Sequence, residues 1–141
     1  MIKNLYEVFD LFSNAATKEQ RLDVLRSNDS KLLRNVLVAT YDPQYQFYYD
    51  SLPKEYKSPD TLPGIRPAGL ETEFRRLYLF QKGNPTADAL SEEHRLRLFV
   101  LFLEAFEKRE AELVVKMMKK NLGIPQLTSK LIKEAFPGLL P

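Results

Sequence analysis

Apolar residues recur at helical spacing through most of this chain, and this periodicity restricts its fold more than any other feature. Apolar positions three and four residues apart begin in the first dozen residues and return in several later segments. No segment alternates with a period of two for long enough to indicate a sheet. The 141 residues, 44% of them hydrophobic, suit one ordinary domain. We therefore predict an all-α fold, a single compact domain over residues 1–141 with about six or seven helices.

Capping residues predict where several helices begin. Thr17 and Gln20 have the spacing of a capping box, Asp29 or Ser30 can cap a third helix, and Ser91 can open another. The remaining boundaries predict helices over about 1–13, 31–40, 70–82, 109–121 and 125–136. Residues 96–106 are apolar at nine of eleven positions, so we expect the helix that contains them to be enclosed at the centre.

Residues 42–69 interrupt the helical pattern with five prolines and two glycines. Because proline removes a helical donor, we predict an irregular proline-rich excursion here. Its beginning is crowded with aromatic residues: Tyr41, Tyr45, Phe47, Tyr48, Tyr49 and Tyr56. Such rings can stack on unpaired bases. They can also pack against the helices, and their number supports this, because a disordered segment would not be expected to carry so many aromatic residues. We favour packing.

The usual signatures of catalysis are missing from the sequence. No glycine pattern of a phosphate-binding loop occurs, and there is no cysteine. The single histidine, His94, stands beside Glu92 and Glu93, where a solvated residue of a first helical turn is the simpler interpretation. No spacing of metal ligands is present. We therefore expect a protein that is not an enzyme and that uses neither a metal nor a cofactor.

The sequence also predicts where the protein is found. Its longest apolar run, residues 98–103, is far shorter than the ~20 residues of a membrane-spanning helix. The first residues pass directly into a charged periodic segment and lack the apolar block of a secretory signal. The absence of cysteine fits a reducing compartment. We expect a cytoplasmic protein that has no membrane partner.

Positive charge collects at one end of the chain. The net charge is +2, but residues 108–141 hold seven basic and three acidic side chains, so this part carries +4 and the preceding part −2. In the predicted helix over 109–121 the apolar residues form one stripe, and Lys116, Lys119 and Lys120 share the opposite face. This arrangement fits a polyanion, although lysines on a helix are also typical of an ordinary hydrated surface.

A turn at Gly123 leads from this helix to the N-terminus of the next one, where unpaired amides and the helix dipole favour an anion. The following helix adds two lysines and two hydroxyl groups. The partner predicted from these features is duplex DNA, contacted at its backbone phosphates. The candidate DNA-binding residues are Lys116, Lys119, Lys120, Gly123, Thr128, Ser129, Lys130 and Lys133.

Several short motifs, taken in order, resemble a known family. They are Thr17-Lys18-Glu19-Gln20-Arg21, Leu32-Leu33-Arg34-Asn35-Val36, Thr40-Tyr41, Met117-Met118-Lys119-Lys120-Asn121-Leu122-Gly123 and Phe136-Pro137-Gly138-Leu139-Leu140-Pro141. Nearly end to end, the chain resembles the N-terminal, all-helical DNA-binding domain of ATP-dependent DNA ligases, especially those of T-even phages. In such ligases the segment similar to Lys119–Gly123, with the helix after it, grips the duplex backbone. The catalytic Lys-x-Asp-Gly motif of these ligases has no counterpart, since the chain contains no Asp-Gly dipeptide.

The resemblance implies a stand-alone, non-catalytic, phage-encoded protein that binds duplex DNA with little sequence preference. It would act in DNA replication, repair or transcription in the host cell cytoplasm. The alternative is a protein-protein interaction adaptor on a ligase-like scaffold, which docks to a phage or host replication or transcription protein. A competitor that occupies DNA ends or nicks would use the same surface as the first candidate.

Overall fold

Helices account for most of the chain, which confirms the predicted all-α class. The computed structural model describes residues 4–57 and 69–141. Its α-helices are α1 (Leu5–Asn14), α2 (Lys18–Ser27), α3 (Lys31–Tyr41), α4 (Leu70–Glu73), α5 (Pro85–Ala89), α6 (Glu92–Glu104), α7 (Lys108–Met118) and α8 (Ser129–Ala135). A 3₁₀-helix, η1 (Phe74–Phe80), continues α4. Strand pairing in the described ranges is limited to one isolated antiparallel bridge, between Phe47 and Gln81.

The capping residues identified in the sequence do begin helices. The hydroxyl oxygen of Thr17 accepts a hydrogen bond from the Gln20 amide at 3.2 Å, and the side-chain oxygen of Gln20 accepts one from the Thr17 amide at 3.3 Å. This is the predicted capping box. Ser30 and Ser91 cap α3 and α6 through their own hydroxyl oxygens. Each cap satisfies an amide that the first helical turn leaves without a partner.

The segment predicted as one helix over 70–82 is divided in the structure. α4 lasts about one turn, η1 winds the next residues more tightly, and the chain then extends. Pairing with the excursion accounts for the extended end after Phe80. The Tyr48 amide donates to the Phe80 carbonyl at 2.9 Å, and the Lys82 amide donates to the Gln46 carbonyl at 2.8 Å. These two bonds pull the end of the segment out of helical geometry.

Helix boundaries near the C-terminal end also differ from the prediction. α7 ends at Met118 and α8 begins only at Ser129, because Lys120 (φ 69°) and Gln126 (φ 71°) have backbone angles that no right-handed helix contains. The short helix α5 was not predicted. Its signal was present nevertheless, since Asn84 followed by a proline is the N-cap and first position of a helix.

Helix α7, not α6, is the enclosed helix, so the prediction for α6 is wrong. Seven of the eleven residues of α7 are buried, against four of the thirteen in α6. α7 contacts α1, α3 and α6, whereas α6 leaves Leu101 59% exposed. Apolar side chains all round a helix do not enclose it unless other elements lie on every side. The connections of this chain bring those elements to α7.

The aromatic residues of the excursion pack against the helices, as predicted. Phe47 is buried, and Tyr49 stacks on Phe99 of α6 with ring centroids 4.2 Å apart. Three more rings are partly buried on the same core: Tyr41, Tyr45 and Tyr56. Residues 42–57 form no helix, in agreement with the predicted irregular excursion. The rest of that prediction, over 58–68, lies outside the described residues.

Two features are absent from the described part of the chain. None of its helices combines the length and the apolar character that crossing a bilayer requires. Histidine and carboxylate side chains there form no group of three that could hold a metal ion.

Candidate nucleic-acid interface

The exposed side of α7 is a narrow cationic strip. Buried residues cover the rest of the helix: Glu110, Ala111, Leu113, Val114, Val115, Met117 and Met118. The residues on the other side define the α7 strip: Lys108, Arg109, Glu112, Lys116 and, just past the helix, Lys119. At 3.6 residues per turn these five positions fall within about 100° of the helix circumference. With four cations and one carboxylate, the α7 strip favours an anionic partner.

One cation of the α7 strip is already held by α1. The Arg109 guanidinium donates to the Asp10 carboxylate at 2.9 Å and lies 4.3 Å from the centroid of the Tyr6 ring. This hydrogen bond lowers the pKa of Asp10 and raises the pKa of Arg109. The Tyr6 hydroxyl in turn donates to Glu107. Arg109 therefore fixes α1 against α7 and leaves the other cations of the strip to meet a partner.

Lys116 and Lys119 are exposed, as the predicted DNA contacts have to be. Three positions apart on a helix, they are surface neighbours. Within residues 4–57 and 69–141, neither forms an ion pair. Lys116 also lines a shallow pocket of about 140 Å³ between α1 and α7, whose far wall includes Leu122 and Ile124. These two lysines are the part of the predicted site on α7 and at its end that the structure leaves open to solvent.

Lys120, one of the predicted DNA-binding residues, points inward and is not available to a phosphate. Its ammonium donates to the backbone carbonyls of Ala39 at 2.6 Å, Asp42 at 2.7 Å and Tyr45 at 2.7 Å. An ammonium has three donors, so none remains for a phosphate. Burial lowers the pKa of Lys120, and the charge of Asp42 opposes that shift. The side chain closes the C-terminal end of α3, where carbonyls lack helical partners.

The backbone of Lys120 is unusual as well. Its φ of 69° is in the left-handed region, which costs a residue other than glycine about 1–2 kcal/mol. The Lys120 amide donates to the Met117 carbonyl at 3.0 Å, and the Asn121 amide donates to the Lys116 carbonyl at 3.1 Å. These are the two hydrogen bonds of a Schellman motif, in which glycine usually stands at the position of Lys120.

Residues 119–128, the α7–α8 loop, are strained at more than one position. Three residues have positive φ: Lys120 (69°), Gly123 (68°) and Gln126 (71°). Since two of them are not glycine, tertiary contacts have to hold this conformation. One such contact is the Tyr41 hydroxyl of α3, which donates to the Leu127 carbonyl at 2.6 Å. Burial raises the pKa of Tyr41 to about 12.

Gly123, the predicted site of close backbone contact, is exposed, and an added Cβ would meet no described atom within 4 Å. A partner can therefore approach it closely. Its amide is engaged, however, because it donates to the side-chain oxygen of Asn121 at 2.9 Å. This amide is thus satisfied within the loop and is not free to donate to a phosphate.

Three of the predicted residues share the exposed side of α8: Ser129, Lys130 and Lys133. The opposite side is buried by Leu131, Ile132 and Ala135. Thr128 is the N-cap, and its hydroxyl oxygen accepts from the Leu131 amide at 3.2 Å. With seven residues, α8 contributes less dipole at its N-terminus than the longer helix predicted. An anion bound at this end of α8 would therefore depend on the lysines.

Two cations of α2, Lys18 and Arg21, join this region and were missed by sequence reasoning. With α8 and the α7–α8 loop they line a pocket of about 180 Å³: Lys18, Arg21, Gln126, Thr128, Lys130, Leu131 and Glu134. Lys18 pairs with Glu134 at 2.9 Å. The contact between α2 and α8 is tertiary, so the local sequence offered one signal only, two cations three positions apart at the start of a helix.

The α7–α8 loop connects the two groups of cations. Ile124 lines the pocket beside α7, and Gln126 lines the pocket beside α8. These residues are two positions apart, which is at most about 7 Å along the chain. Lys116 of the α7 strip and Lys130 of α8 therefore border two pockets that this one short loop joins. We call the whole set the cationic surface: the α7 strip with Lys18, Arg21, Ser129, Lys130 and Lys133.

Fold and site together define an all-helical protein with a cationic surface around a strained loop. The chain belongs to a protein family of unknown function, DUF6433, whose model matches residues 8–124. No curated protein matches the chain. The family match contains the α7 strip, Lys120 and Gly123, and it ends before Thr128 and α8.

Proposed function

We propose that this protein binds duplex DNA through its backbone phosphates, with little sequence preference and without catalysis. The observation that carries the proposal is the pair Lys116 and Lys119, exposed, adjacent and without an ion pair in the described ranges. The other cations of the cationic surface flank them. Lysines that neutralise phosphates release condensed counterions, which is the main source of sequence-independent affinity for DNA.

Burial of α7 is the reason to expect phosphate contacts instead of base contacts. A helix that reads bases enters the major groove, which is about 12 Å wide and close to the diameter of a helix with its side chains. α7 is buried on every side except the α7 strip, so it cannot protrude that far. α8 is short and packs on α2. Long lysine side chains reach phosphates from such a surface without insertion of a helix.

The resemblance to the ligase DNA-binding domain supports the same function. The ligase segment similar to Lys119–Gly123 grips the duplex backbone, and here that segment begins at Lys119 of the cationic surface and continues into the α7–α8 loop. Lys120 is the exception, because its ammonium points inward to carbonyls. On this proposal the protein is phage-encoded, needs no metal or cofactor, and acts in DNA replication, repair or transcription in the cytoplasm of the host.

Charge reversal on the α7 strip tests the proposal. We expect the double substitution K116E/K119E to abolish retention of a short DNA duplex at moderate salt. The matched control is K54E/K82E, which changes the net charge equally at two exposed lysines outside the cationic surface. Fluorescence anisotropy between about 50 and 200 mM salt measures both affinity and its salt dependence. Replacing the same two lysines by alanine should reduce the slope of log K against log salt by about two units.

Three results would contradict DNA binding at this surface. One is an affinity that does not change with salt. Another is equal weakening by K116E/K119E and by K54E/K82E. The third is tighter binding to single-stranded than to duplex DNA, since the aromatic rings of the excursion are packed against the core.

A second candidate function is the protein-interaction adaptor, and one feature of the structure favours it. An open groove of about 260 Å³, separate from the cationic surface, is lined by Asn35, Val38, Ala39, Tyr45, Phe74, Arg75, Leu77, Tyr78 and Gln81. Tyr78 in this groove is 43% exposed, which is high for a large ring. Y78S should weaken a complex with a replication or transcription protein, whereas K116E/K119E should leave that complex intact. The opposite pattern would exclude the adaptor.

A further inference from the structure

We propose that Lys120 is a positioning residue for the cationic surface: from α7 it holds the α7–α8 loop in the conformation that brings the lysines of α8 beside the α7 strip. This inference rests on the proposed DNA binding for its functional part. Its structural part, the hold on the loop, is testable without DNA.

The first argument is the residue type at this position. A Schellman motif favours glycine where the backbone turns left-handed, yet this chain has a lysine there with φ of 69°. The lysine side chain ties three segments together. It begins at the end of α7 and reaches the carbonyls of Ala39 in α3 and of Asp42 and Tyr45 after it. The backbone strain therefore places an ammonium where three carbonyls converge.

The second argument is that the α7–α8 loop determines the position of α8 relative to α7. Within three residues of Lys120 the chain turns left-handed again at Gly123, and it does so once more at Gln126. Each turn changes the direction of the chain, so together they set where α8 stands relative to α7. Tyr41 of α3 provides an independent tie at the far end of the loop, through the Leu127 carbonyl. Lys120 and Tyr41 thus anchor the two ends of the loop to the same helix.

The substitution K120G tests whether Lys120 holds the α7–α8 loop in place or only ends helix α7. Glycine relieves the left-handed strain and keeps the two backbone hydrogen bonds of the motif, but it removes the ammonium. If Lys120 only ends α7, K120G should be at least as stable as the wild type. If Lys120 holds the loop, we expect the amides of Asn121, Gly123 and Leu127 to exchange with deuterium roughly tenfold faster, measured by NMR below the unfolding temperature.

DNA affinity supplies the functional readout, which a purely structural role would not change. At a temperature where both proteins are folded, we expect K120G to weaken duplex binding about tenfold. K119A is the matched comparison at the neighbouring lysine. It should reduce the salt slope by about one unit, as expected for a phosphate contact, and leave exchange of the loop amides unchanged.

Wild-type exchange rates in K120G would overturn the proposal, and so would faster exchange with unchanged DNA affinity. If K120G does not fold, K120M replaces it, because methionine keeps most of the side-chain length and removes the ammonium that holds the three carbonyls. If the wild-type protein does not bind duplex DNA, the proposed function fails. The exchange rates then still decide whether Lys120 holds the loop.

Discussion

α6 and α7 follow each other in the chain and have nearly the same apolar content, seven of thirteen residues and six of eleven, yet α7 buries the larger share of its residues. α6 is apolar nearly all round over residues 96–103 and leaves Leu101 59% exposed, while α7 is amphipathic and has its apolar residues enclosed by α1, α3 and α6. The amphipathic pattern is the better guide to burial. A helix with one polar strip can be surrounded on all its other sides and still reach solvent, as α7 does through the α7 strip.

The same two helices each place an arginine over a tyrosine ring, and the pairs differ in kind. Arg95 of α6 is 7% exposed, donates to the carbonyls of Ala87 and Leu90, and lies 3.8 Å from the Tyr48 ring centroid. Arg109 of α7 is exposed and donates to a carboxylate. One arginine is part of the packed interior, and the other belongs to the charged surface.

The largest expected effect tests which helix is central. M117A removes a fully buried side chain of α7 and should lower the free energy of unfolding by about 2–5 kcal/mol, because the core cannot collapse completely around the cavity. L101A on the exposed side of α6 should change it by less than about 0.5 kcal/mol. Urea unfolding at a common m-value measures both. A larger loss for L101A than for M117A would mean that α6 is the enclosed helix.

A smaller loss of stability is expected when the buried arginine, Arg95, is replaced. R95M keeps much of the side-chain volume but leaves the carbonyls of Ala87 and Leu90 without their donor, so the free energy of unfolding should fall by about 2 kcal/mol. The control is R97M on the same helix, whose exposed partner Glu93 lies 3.4 Å away and adds little. Both variants can be compared by thermal and urea unfolding. Equal losses would show that Arg95 contributes only as a surface charge.

The smallest expected effect belongs to the exposed pair of Arg109 and Asp10, and it depends on pH and salt. Arg109 lowers the pKa of Asp10 in the folded protein. The pair therefore stabilises the fold above the pKa that Asp10 has in the unfolded chain, and this contribution is lost as pH falls through the folded-state value. D10N should be slightly less stable than the wild type near neutral pH and equal to it in acid or at high salt. For Arg95, whose acceptors are carbonyls, no such pH dependence is expected. A D10N difference that persists in acid would contradict this account.

Local sequence was a sufficient guide wherever a few neighbouring residues decide the structure. The capping box at Thr17 and Gln20, the cap at Ser30 and the packing of the tyrosines could be predicted, because capping chemistry and aromatic burial are short-range or strongly driven effects. The exposure of Lys116 and Lys119 also followed from helical periodicity. The duplex-DNA function itself stays a prediction.

Other features could not be predicted because they depend on residues far apart in the chain. Lys120 carries the same charge as its neighbour Lys119, but its ammonium bonds to carbonyls about eighty residues earlier. Lys18 and Arg21 join the cationic surface only because α2 packs on α8. The helical segment ends at Phe80, where backbone bonds join residues 80 and 82 to residues 48 and 46. None of these partners is visible in a local window of sequence.

By itself, the sequence determined the helical class, the main caps and the concentration of positive charge after residue 108, since all three follow from periodicity, short-range hydrogen bonding and composition. Only the tertiary structure decided which helix is enclosed, which lysine points inward and which cations of α2 lie beside those of α8. The physical reason is that burial and hydrogen-bond partners are properties of the space around a side chain, and in this protein that space is filled by segments distant in sequence.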